Sequence, residues 1–157
     1  MNLLKLSVLG LGLAGTAEAS ETALRELTAP YSETVHGQLR VRPASEDNRT
    51  ALAYLVVNEV PNPSFHEKLL KAAQEGGALH LEGNTVWLRL GCLRGDEVLD
   101  QSGKPVVNNL PLLHNATYQH LAEVRLDFDV GPSEAVTGLC SSPVDRATVV
   151  GFTGTKD

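Results

Sequence analysis

The sequence predicts an α+β domain, mainly antiparallel β, with one main α-helix and a sheet that curls into a sandwich or small barrel. Three observations carry that prediction. Short apolar-alternating runs recur through the chain and are punctuated by Gly, Pro and Asn. One segment, opening after Pro61 and Pro63, places its apolar residues at helical spacing. Gly83-Asn84 and the QSGK tetrapeptide at 101–104 each sit between two such runs as hairpin signals.

The elements follow in order. Residues 1–19 read as a signal peptide: Lys5 supplies a cation, 6–15 (LSVLGLGLAG) is apolar, and Ala17-Glu18-Ala19 offers small residues at a cleavage site. The apolar run is half the roughly twenty residues that a spanning helix needs. Residues 20–157 then form a single α+β domain. Residues 20–27 suit a short amphipathic helix ended by Pro30. In 34–42 (TVHGQLRVR), Val35, Gly37, Leu39 and Val41 alternate with His36, Gln38, Arg40 and Arg42, the pattern of a half-buried strand. Gly37 inside it signals a bulge or a close backbone contact.

Residues 51–60 (ALAYLVVNEV) are almost continuously apolar, which fits a central strand covered on both faces. A capping box, Ser64 with Glu67, opens the helix, whose stripe is Phe65, Leu69, Ala72 and Ala73; Gly76-Gly77 ends it. Strands are expected at 78–82 and 85–93, the second with Val86, Leu88, Leu90 and Cys92 on one face. Others are expected at 97–100, 105–107, 122–130, 135–140 and 147–152. In 122–130 (AEVRLDFDV) the alternation points Glu123, Arg125, Asp127 and Asp129 outward. The order of two strands, a helix and a hairpin is similar to that of an oligonucleotide/oligosaccharide-binding barrel, a resemblance of element order alone.

Removing 1–19 leaves 157 − 19 = 138 residues, one domain's worth, with 12 basic and 18 acidic side chains and a net charge of −6. That balance disfavours nucleic acid and anionic membrane as partners, both of which require a cationic surface. No second long apolar run follows the leader, so no stable membrane insertion is expected. Export brings an oxidising compartment, and the two cysteines, Cys92 and Cys140, are expected to pair as a disulfide.

Candidate chemistry is sparse. Asp127 and Asp129, two apart on a strand and about 7 Å from each other, form a possible metal or acid–base pair, or simply a charged solvent face. The five histidines, His36, His66, His80, His114 and His120, show no HExxH, HxH or HxxxH spacing. There is no GxSxG, and Ser102-Gly103-Lys104 lacks the upstream glycines of a phosphate loop, so it reads as a turn. His36, Gln38, Arg40 and Arg42 make a polar and basic stripe suited to a carboxylate, an acidic sugar or an acidic partner, or else the charged face of an edge strand. Trp87, beside Arg89 and opposite Val86 and Leu88, belongs either to a second core or to a binding surface. The two Asn-x-Thr sites, at Asn48 and Asn115, matter only for a glycosylating host.

These residues favour a secreted or periplasmic protein without cofactor that binds a protein, small-molecule or saccharide ligand non-catalytically. The alternative is a small metal- or carboxylate-dependent hydrolase, in which Asp127, Asp129 and His114 or His120 would converge.

Overall fold

A computed structural model describes residues 31–44, 50–109, 121–129 and 138–152. In chain order these form β1 (Tyr31–Pro43), β2 (Ala51–Glu59), α1 (Pro63–Ala73), β3 (Leu79–Glu82), β4 (Thr85–Arg94), β5 (Glu97–Leu99), β6 (Val107–Asn108), β7 (Ala122–Phe128) and β8 (Arg146–Phe152). The strands make one sheet in the order β3-β4-β2-β1-β7-β8-β6, with β5 beside β3 on the same edge of β4. Every ladder is antiparallel except β6 with β8. The sheet curls without closing. Val106 N–H donates to Val98 O of β5, and Ala147 N–H of β8 donates to Val106 O, so the segment after β5 bridges β5 to β8. The fold expected from the sequence, mainly antiparallel β with one helix, is the fold observed.

Alternation decides which residues fill the inside. Val35 and Leu39 of β1, Leu55 of β2, Leu88 of β4 and Val124 and Leu126 of β7 are all essentially inaccessible and form one cluster. α1 closes that core with Phe65, Leu69, Ala72 and Ala73, the stripe read from helical spacing. Phe65 meets Phe128 nearly edge-on at 6.0 Å and Tyr31 at 5.8 Å. Its burial stabilises the helix–sheet contact by about 1.5–3 kcal/mol.

Two irregularities set what reaches the other face. At Gly37 the β1–β2 register shifts, and a Cβ there would lie 2.3 Å from Val56 O. Only glycine allows the strands to approach so closely. In β4 the register runs from Ala53↔Gly91 to Tyr54↔Arg89, leaving Leu90 as an extra residue. This bulge corrects the expectation that Cys92 shares the face of Val86, Leu88 and Leu90. Those three join the main core, whereas Cys92 emerges on the opposite side with Leu52, Tyr54, Val56, Trp87 and Cys140. β2 is therefore covered on both faces, as its apolar run predicts.

Further differences from the sequence reading have local causes. The helix is capped by Asn62, whose side chain accepts from Ser64 N–H, with Pro63 in the first turn; Ser64 is inside the helix. Proline has no N–H to satisfy and a pre-set φ, so Asn-Pro outcompetes the Ser64 capping box. Asp127 is buried instead of solvent-facing, at 4% exposure, because arginines from β7 and β8 close over it. β1 lies between β2 and β7, so its polar face belongs to a central strand and not to an edge. Residues 138–140 form a turn where the end of a strand was expected; 135–137 lie outside the described residues. So do residues 1–30, with the leader and the short helix, and both Asn48 and Asn115. The QSGK segment is a turn as read: the Asp100 carboxylate accepts from Ser102 N–H, Ser102 Oγ–H and Lys104 N–H. Among the described residues no helix is long and apolar enough to cross a membrane.

Candidate functional site

The outer face of the sheet, opposite α1, brings Tyr54 and Trp87 together with Arg42, Glu82 and His80. Cross-strand register aligns Gln38 with Val56 and Trp87, Arg40 with Tyr54 and Arg89, and Arg42 with Leu52 and Cys92. Sheet twist then brings diagonal neighbours together. The Arg42 side chain extends along that diagonal, its guanidinium 3.9 Å from the Trp87 ring centre and 5.7 Å from that of Tyr54. At its far end Nη1 and Nη2 donate to the two Glu82 oxygens, at 2.6 and 3.3 Å. His80, on β3, stacks near-parallel to Trp87 at 6.4 Å, and its Nε2 lies 3.0 Å from Glu82 Oε2.

This cluster has definite electrostatics. The hydrogen bond from Arg42, then that from His80, hold the Glu82 carboxyl at a pKa of about 2, below its ordinary 4.5. The same hydrogen bond raises the Arg42 pKa. The Arg42 and Glu82 side chains are 40% and 37% exposed, so water screens the pair and its contribution is modest. The rings beneath are buried: Trp87 is 9% and Tyr54 6% exposed. Arg42 is thus a cation held over an aromatic floor, a contact worth roughly 0.5–2 kcal/mol.

Arg40 differs. Its Nη2 donates to Gln38 Oε1 at 3.0 Å, its Nε is buried without an acceptor, and among the described residues no carboxylate pairs with it. Arg89, one strand beyond Tyr54, donates to Ser141 O, Ser141 Oγ and Gly138 O. Those bonds and the Cys92–Cys140 disulfide, with Cα atoms 5.1 Å apart, fasten the 138–141 turn to this face.

The other residues singled out from the sequence separate from one another. His36 pairs with Glu59 at the lower end of β1, away from Arg42. His66 is exposed on α1, and His114 and His120 lie outside the described residues. Asp127 accepts from Ser32 Oγ and lies 3.5 and 3.6 Å from the Nε atoms of Arg125 and Arg146; Arg146 also binds Asp129. The two carboxylates are neutralised by guanidiniums that tie β7 to β8, and present no free set of oxygen ligands. Among the described residues no three of His, Cys, Asp or Glu gather in a way that could hold a metal ion.

Sequence reasoning found Arg40, Arg42 and Gln38 by alternation and placed Trp87 and Arg89 on a shared face. It missed Glu82 and His80 as members of the site, since β3, which carries both, joins β2 and β1 only through β4. Comparison with family descriptions, with curated proteins and with solved structures finds no match to this chain.

Proposed function

We propose that this chain is an exported, non-catalytic binding domain of the cell envelope or extracellular space, and that the outer face of its sheet is the binding surface. The observation that carries the reading is the Arg42–Glu82–His80 cluster laid over Trp87 and Tyr54 on the side of the sheet that α1 does not cover. Partly desolvated arginines on aromatic side chains are typical of residues that dominate recognition. The disulfide suits an oxidising compartment, and the leader-like 1–19 segment accounts for arrival there. Nothing in the site calls for a nucleophile or a metal.

The test is in-cell photo-crosslinking with a probe residue placed at Gln38 or Glu82 on the outer face, and at His66 or Lys71 on α1. Discrete adducts should form from the face positions in the exported fraction and not from the helix. Adducts from the helix positions alone, or a product retained in the cytosol with its leader intact, would refute the proposal.

A further inference from the structure

Both ring nitrogens of His80 face oxygens that can only accept. Nε2 lies 3.0 Å from a Glu82 carboxylate oxygen, and Nδ1 lies 3.3 Å from the Gly77 carbonyl oxygen. A neutral imidazole carries one N–H and a lone pair on its other nitrogen, whereas the imidazolium donates from both. Only the protonated ring satisfies the two contacts together. His36 differs: its Nδ1 meets Glu59 Oε1 and no second acceptor among the described residues, so a neutral ring can keep that contact.

The groups around His80 fix what losing a proton does. On its own strand is the Glu82 carboxylate; β1 supplies the Arg42 guanidinium, which shares Glu82 Oε2 with the ring. β2 supplies Tyr54, edge-on at 5.9 Å. β4 supplies Trp87, opposite His80 in the ladder, and Arg89, which is turned to Ser141 and Gly138. α1 packs over the core face of β3 and, among the described residues, sends no hydrogen-bonding or ion-pairing side chain to the ring. A lone pair 3.0 Å from a carboxylate is repelled more than one 3.3 Å from a neutral carbonyl, so a neutral ring keeps its proton on Nε2 and Gly77 loses its donor. We propose that His80 is a proton switch in the outer face. Protonated, it ties the 74–78 connection between α1 and β3 to the Arg42–Glu82 pair and gives the three side chains one net positive charge. Deprotonated, it releases Gly77 and leaves the three neutral in sum. The ring side chain is 25% exposed, so water can deliver and remove the proton. Histidine is the side chain whose charge ordinarily changes between pH 5 and 8. Control of binding by this proton rests on the outer face being the binding surface.

The purified protein is followed from pH 5 to pH 8 by proton–nitrogen correlation NMR of its imidazoles. Both His80 nitrogens should carry protons at the acid end and Nε2 alone at the other. The Gly77 carbonyl carbon and the Ala78 amide should shift along the same curve, and titration of His36 should not move them. Trp87 is the only tryptophan of the chain, so its emission reads the charge of this face. Quenching by iodide at constant ionic strength should be about 1.5-fold stronger at pH 5 than at pH 8, the effect of one charge about 7 Å away in water at roughly 0.15 M salt. Quenching by neutral acrylamide should not follow it. His80→Gln should abolish the iodide difference, and His36→Gln should keep it.

A ring whose protonation is unchanged over that range overturns the proposal, as does a Gly77 carbonyl indifferent to its titration. An iodide difference that survives His80→Gln does the same. The ring measurement needs no variant, so it decides even if His80→Gln fails to fold. Crosslinking from a probe at Gln38, in cells held at pH 5 and at pH 8, separates the switch from its use in binding. Adduct yields that differ in the wild type and match in His80→Gln support control of binding. Equal yields with a titrating ring refute that control while the outer-face reading stands; no adducts at either pH remove that reading, and the ring measurement still decides the switch.

Discussion

Removing the Cys92–Cys140 bridge should cost this domain a large part of its stability without erasing its fold. The two residues are separated by 48 positions, and loop-closure entropy for that separation corresponds to about 4 kcal/mol at 25 °C. Both cysteines are buried, Cys92 at 1% and Cys140 at 9% exposure, so truncation to alanine also removes some packing around Leu52 and Trp87. Against a total stability on the order of 5–15 kcal/mol, the loss is severe. The native turn should nevertheless persist, because Arg89 holds Ser141 O at 2.7 Å, Ser141 Oγ at 2.8 Å and Gly138 O at 3.2 Å independently of the sulfurs. Urea unfolding of the Cys92→Ala/Cys140→Ala protein, followed by Trp87 emission, measures this. The midpoint should fall by an amount equivalent to about 4 kcal/mol, and the m-value should rise slightly as the unlinked chain expands. A loss below about 1 kcal/mol would refute the reasoning, since it would mean that the bridge does not restrict the unfolded chain.

Three other changes test separate parts of the structure. Gly37→Ala places a methyl 2.3 Å from Val56 O, so the β1–β2 register must give way; chemical denaturation should show a loss of at least about 2 kcal/mol, and wild-type stability would contradict the close approach. Asn62→Ala removes the bond to Ser64 N–H and another, at 3.1 Å, from Nδ2 to Glu33 Oε1, and thermal melting should record a loss of about 0.5–2 kcal/mol. Glu82 has a depressed folded pKa of about 2 against 4.5, so its stabilisation is complete above pH 4.5 and is lost as pH falls through 2. Screening of this exposed pair keeps that contribution below about 1 kcal/mol, and Glu82→Gln should flatten the pH-dependence of stability over that window. An unchanged profile in the variant would remove Glu82 from the pair with Arg42.

Local patterns carried the sequence reading as far as they reach. Helical spacing found Phe65, Leu69, Ala72 and Ala73 because one helix buries one stripe, whatever its neighbours do. Period-two alternation placed Val35 and Leu39 inside and Arg40 and Arg42 outside, and Gly37 marked a real register shift. The errors arose where a partner strand decides. Cys92 changed faces because Leu90 bulges, and a bulge is visible only against the register of β2. Asp127 became buried because Ser32, Arg125 and Arg146 come from three strands. The helix cap was legible in Asn62-Pro63, a stronger start signal than Ser64 with Glu67. The site divides the same way: its basic stripe follows from one strand, whereas Trp87, Tyr54 and Glu82 join it only through the order β3-β4-β2-β1.

Backbone and indole chemical shifts, followed as a partner captured by the crosslinking experiment is added, bear most directly on which surface of this protein does its work. The amides of Gln38, Arg40 and Tyr54 and the Trp87 indole N–H should move together along one binding curve, with α1 silent. Shifts centred on Phe65–Ala73 instead, with those four signals still, would contradict the assignment of function to the outer sheet.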